Sequence, residues 1–156
     1  MSKNKILLSL ALVFIGCCAA TCFVIRHSEE KAGAEAEKFA ELAFVKQDFE
    51  AAYSRLDPVA TGKVSLDVFT AQIKSMHAGG YPSKVAAKAF QIETGKGKGV
   101  WIYLEGESAE KKFYYRVGLL GNAASGYKVA AAKGLPSAID LTKLKRPLSG
   151  LLDGAK

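Results

Sequence analysis

Few side chains in this sequence have the type and spacing to do chemistry. His77 is one of two histidines, the other being His27, and an imidazole that titrates near neutrality can serve as a general base. Its place near the end of a helical stretch gives it a structural alternative, because a partial positive charge is favourable at a helix C-terminus. Glu105, Glu107 and Glu110 gather three carboxylates in a short stretch, but no compact loop offers the six oxygens a calcium site needs. The run Gly95-Lys96-Gly97-Lys98-Gly99 presents glycine amides and lysine charge, yet it lacks the Lys-Ser/Thr pair and following helix of a phosphate loop, and reads as a hairpin connection. Trp101, Tyr103, Phe113, Tyr114 and Tyr115 concentrate aromatic surface beside Lys111, Lys112, Arg116 and Lys128. Protein interfaces and single-stranded nucleic acids both use such a mixture. No combination of these residues names a reaction, a metal site or a cofactor.

The elements that position them follow from periodicity. Over Lys111 to Leu120, Phe113, Tyr115, Val117 and Leu119 alternate with Lys112, Tyr114, Arg116 and Gly118, so one face turns inward and the other is wet. Tyr114 and Arg116, with Lys112 and Lys128, are therefore the expected interaction surface. Val85 to Glu93, Val100 to Glu105 and Tyr127 to Ala132 read as the other strands. Ahead of them, Ser28 to Leu56 reads as one long amphipathic helix with Phe39, Leu42, Phe49, Ala52, Tyr53 and Leu56 at spacings near three and four. Phe49 is the expected anchor of that helix on the sheet. Ser65 is a plausible N-cap for a second helix over Leu66 to His77, with Phe69, Ile73 and Met76 or His77 on one side. A meander of this size cannot bury its apolar face alone, so the long helix should lie across it. Residues 134–156, with Pro136, Pro147 and leucines at 141, 144, 148, 151 and 152, read as a tail.

The start of the chain speaks to place. Ile6 to Ile25 holds twenty positions without a charge, about the length of a helix that crosses the hydrocarbon core of a bilayer. Lys3 and Lys5 precede it and acidic residues follow soon after Arg26, which puts residues 1–5 in the cytoplasm and the remaining chain outside it. A cleaved signal peptide, using Cys18-Ala19-Ala20, and a lipidated Cys17 are the competing readings. Each places the domain on the periplasmic or extracellular side of a bacterial cytoplasmic membrane. All three cysteines, Cys17, Cys18 and Cys22, fall within the apolar stretch, so the exported part has no disulfide or thiol nucleophile. The chain carries +7, distributed unevenly: residues 27–92 hold 8 basic and 9 acidic groups, residues 93–156 hold 11 and 6. A basic sheet and tail suit an envelope or membrane protein partner, with anionic lipid as a second contact. Export argues against nucleic acid.

Lys46-Gln47-Asp48-Phe49 followed by Ala51-Ala52-Tyr53, the second helix over Phe69 to Met76, and the strands around Trp101 and Tyr115 together resemble small bacterial exported proteins of the nuclear-transport-factor-2-like, cystatin-like cone superfamily. The resemblance covers residues 28–133. It implies an α+β domain in which helices pack on a strongly curved antiparallel sheet. A cone of that kind can enclose a pocket, for which Tyr103, Tyr115 and His77 are the candidate polar residues. Many exported members are non-enzymatic, whereas others are isomerases or dehydratases, so fold alone does not choose. The expectation is a membrane-tethered, non-catalytic interaction domain, the alternative being a small-molecule-binding protein or enzyme using the cone cavity.

Overall fold

The computed structural model describes residues 27–93 and 99–138. The expected cytoplasmic N-terminus at 1–5, the expected membrane span at 6–25, most of the glycine-lysine connection and residues 139–156 of the expected 134–156 tail lie outside the described residues, while residues 134 and 135 belong to the last strand instead. No helix of the described residues is long and apolar enough to cross a membrane.

Helix α1 spans Glu29–Ala40, and its N-cap is Ser28, whose hydroxyl accepts from the Lys31 N–H. Glu29 and Glu30 in the first turn complement the exposed amides. The Ser28 N–H in turn donates to the Tyr127 hydroxyl at 2.8 Å. Ala32, Gly33, Ala36, Phe39 and Ala40 form the buried face. The expected single helix to Leu56 does not form. A π-helical turn follows over Glu41–Val45, with the Lys46 N–H bonded to the Glu41 carbonyl at 2.8 Å. Gln47 then adopts a left-handed backbone, φ 56°, and Asp48 caps a new helix, α2, at Phe49–Tyr53. A short α3 at Pro58–Thr61 is capped by Asp57 with Pro58 at its first position. Helix α4 spans Leu66–Met76, capped by Ser65 and closed by His77, and buries Phe69 and Ile73 as expected.

The break has a packing cause. Phe39 and Phe44 are five residues apart, a spacing that an α-helix would send to different faces. The wider π turn brings both inward, where they are fully buried with ring centroids 5.9 Å apart. Phe49, past the break, is only half-buried against the core, with the Lys74 ammonium 5.6 Å above its ring. It is not the principal anchor.

The strands are β1 Lys84–Ile92, β2 Gly99–Glu107, β3 Lys112–Asn122 and β4 Gly126–Leu135. They pair antiparallel in the order β1-β2-β3-β4. The α+β class holds, but the curved nuclear-transport-factor-2-like sheet does not: this sheet is neither curved nor closed. It is an open meander with β1 and β4 as edges. The nine β2–β3 pairs run without a register shift, and irregularities are confined to the outer pairs, between Ala87 and Ala89 and between Gly118 and Leu119. With the helices layered on one side, the sheet encloses no cone. The β1 irregularity is used by α1, whose Glu37 carboxylate accepts from the Ala87 N–H at 2.6 Å. The edge of β4 is partly covered by a parallel bridge between Leu56 and Val129.

Phe44→Ala is expected to lower unfolding free energy by about 3–5 kcal/mol, the cost of emptying a fully buried phenylalanine site. Phe49→Ala should cost clearly less, because its site opens to solvent. Urea denaturation of the two variants checks the order, and an equal loss would return Phe49 to the role of anchor.

Candidate functional site

The two faces of the sheet hold the candidate residues apart. On the helix-covered face, Tyr115 meets His77, which α4 delivers at its C-terminal cap. The Ile73 carbonyl can only accept, so His77 Nδ1–H donates to it at 2.8 Å; Nε2 is then left to accept from the Tyr115 hydroxyl, also at 2.8 Å. Tyr81 stacks on the imidazole at 4.6 Å and Phe44 lies 4.9 Å away. The two partners are 3% and 2% exposed. Burial depresses the His77 imidazole below its usual range, opposed by the bond to Ile73 and assisted by nearby Lys111. Burial also drives the Tyr115 phenol well above its usual range. A neutral imidazole bonded at both nitrogens and sealed among rings has no free position for a substrate. The pair fastens α4 to β3.

Tyr103 does not join them. It pairs with Arg116 and Ala89 in register, on the other side of the sheet from Tyr115, and its hydroxyl donates to Gln91 at 2.8 Å. The expected pocket trio therefore does not assemble. A cavity of about 90 Å³ lies elsewhere, between α4 and β4, lined by Phe69, Ile73, Met76 and Ala130 to Ala132 among others. It is below the several hundred Å³ of a typical ligand site, and its walls are mostly apolar, with Gln72 the one polar side chain.

The outer face is where the expected interaction residues gather. Tyr114, Arg116 and Lys112 alternate along β3, and Lys128 lies across from Leu120 on β4. The organising contact is one that sequence reading missed. Gly118 lies opposite Trp101, and a Cβ there would come within 2.7 Å of the indole. Glycine lets the Trp101 ring lie flat across β3. Onto that ring stacks the Arg116 guanidinium, 3.7 Å from its centroid and 5.8 Å from that of Tyr103. A cation over an indole is favourable, more so when partly desolvated. The cross-strand pairing of a bare glycine with a tryptophan was the available signal, visible only once the β2–β3 register was known.

At the opposite end of the same face the charges are balanced. Lys112 reaches Glu105 at 3.0 Å and Lys84 reaches Glu107 at 2.9 Å. The hydrogen bond to Glu105 raises the Lys112 ammonium, and that from Lys84 lowers the Glu107 carboxyl. These bonds use two of the three clustered carboxylates, and among the described residues no group of His, Cys, Asp or Glu is placed to hold a metal ion. No family model, characterised protein or solved structure matches the chain.

Two outcomes are expected. His77 in the folded chain accepts a proton only at a pH below the value near 6.5 at which it does so unfolded. Its stabilising contribution is therefore complete above that pH and is lost as pH falls through it toward the depressed folded value. His27, also lowered by burial, acts in the same direction, so thermal midpoints of the wild type and His77→Gln must be compared from about pH 7 to 5; identical slopes would remove His77 as the source. Gly118→Ala should lift Trp101 from the sheet. Since Trp101 is the sole tryptophan, a shifted emission maximum with little change in far-UV circular dichroism is the expected reading.

Proposed function

We propose that this is a membrane-tethered, non-catalytic domain on the outer side of a bacterial cytoplasmic membrane, which docks an envelope protein on the outer face of its sheet. One observation carries the reading. The described helices all pack on the face bearing Ile102, Leu104, Tyr115, Val117 and Leu119, and no described element covers the face bearing Trp101, Tyr114 and Arg116. Aromatic and arginine side chains held in place before contact are the residues that dominate binding energy at protein interfaces. The uncharged run from Ile6 to Ile25 supports the tether.

Among the described residues the small-molecule reading has no comparable support. His77 and Tyr115 bind each other, Tyr103 is across the sheet, and the cavity touches none of the three.

Crosslinking the full-length protein in intact cells tests the docking surface. Replacing Tyr114 and Arg116 together with alanine should abolish recovery of a stoichiometric envelope partner while the chain stays folded, its unfolding midpoint falling far less than that of a core variant because only a surface stack on Trp101 is lost. Phe44→Ala, which weakens the core, serves as the control for loss through unfolding. Recovery indifferent to the double substitution would falsify this face as the docking site.

A further inference from the structure

We infer that the partner presents a carboxylate to Arg116, so that the outer face recognises an acidic protein segment. The inference rests on the docking-surface reading and specifies the chemistry of what docks.

Geometry supplies the first reason. A guanidinium stacked at 3.7 Å on Trp101 is held flat, shielded on one side from water, and keeps in-plane N–H donors that match the two oxygens of a carboxylate. Stacking has restricted the side chain before binding, which reduces the ordering cost of a bidentate contact.

Charge supplies the second. Lys84 and Lys112 are paired, but no carboxylate among the described residues pairs with Arg116, Lys128 or Lys133. Arg116 Nε is itself buried without an acceptor. Arg116 sits directly across from Lys133 in the β3–β4 register, and like charges opposite one another on a sheet face destabilise it. The fold thus carries a local positive site next to aromatic surface, with no described acid paired to it. An incoming carboxylate would relieve that repulsion. A broad anionic surface fits less well, because the Lys112–Glu105 and Lys84–Glu107 pairs leave that part of the face without net charge to attract it. The complement is a discrete acid on a protein.

Trp101 makes the test direct. The full-length protein, held in nanodiscs of zwitterionic lipid, is titrated with a short peptide of alternating glutamate and alanine and with its glutamine counterpart, while tryptophan emission is followed. The glutamate peptide should give a saturable change and bind about tenfold tighter than the glutamine peptide, as for loss of a charge-assisted hydrogen bond. Arg116→Gln should erase that preference, Arg116→Lys should recover only part of it, and Lys133→Gln, at an exposed position, should weaken it a few-fold. Added salt should weaken it too.

Equal binding of the two peptides, or a preference untouched by either Arg116→Gln or Lys133→Gln, overturns carboxylate recognition. An emission change produced by phosphatidylglycerol in the nanodisc, with none from the peptide, overturns it in favour of lipid. A flat peptide titration alongside a cellular partner lost on replacing Tyr114 and Arg116 overturns the acidic assignment and leaves the docking surface standing. A glutamate preference lost in Arg116→Gln, with cellular recovery indifferent to the face, supports the carboxylate site and removes the envelope-protein reading.

Discussion

The close seating of α1 on the sheet is the constraint from which the remaining architecture follows. Ala32, Gly33, Ala36, Ala40 and Ala43 present almost no side-chain bulk on the buried face and are fully enclosed, so the helix axis can approach the strands until Phe39 and Phe44 fill the space between. Such contact is individually weak and collectively large. Polar bonds fix the position. Glu37 takes the amide freed at the β1 irregularity, Tyr127 takes the Ser28 amide, and Glu35 holds Arg55 at 3.0 Å. A helix so placed covers one face of the sheet and cannot cover the other.

That asymmetry gives chemically similar neighbours opposite fates. Tyr114 and Tyr115 are adjacent in sequence, yet one faces outward and the other is locked to His77 under the helices. Trp101 and Tyr103 flank Ile102 and take the outer side, where Trp101 is half-buried and Tyr103 is buried beside Arg116, while Ile102 is fully buried in the core. The period of two along a strand decides which aromatic residues pack under the helices and which lie on the opposite face.

Most of the element order was legible in the sequence, because alternation and capping are local signals. All four strands and α4, with Ser65 as its cap and Phe69 and Ile73 inward, lie close to where those patterns place them. The helix break was not legible. Lys46-Gln47-Asp48 contains neither glycine nor proline, and the π turn exists because Phe39 and Phe44 must share one core, a tertiary demand that helical propensity does not encode. The curved cone failed for a related reason: element order fixes which strands are neighbours but not how far a sheet bends. For the candidate surface, alternation correctly gathered Tyr114, Arg116 and Lys112 on one face. The stack that organises it depends on Gly118 lying beneath Trp101, a cross-strand fact. His77 and Tyr115 have the polarity of pocket residues, whereas burial makes them a clasp.

The bond from the Ser28 amide to the Tyr127 hydroxyl joins residues 99 apart at the very first turn of α1, and Lys31 adds a second tie to the Ala123 carbonyl at 3.0 Å. Tension arriving through residue 27 therefore does not first unwind the helix from a loose end. It passes at once into the β3–β4 hairpin, so the first turn of α1 and the last described strand bear mechanical load together.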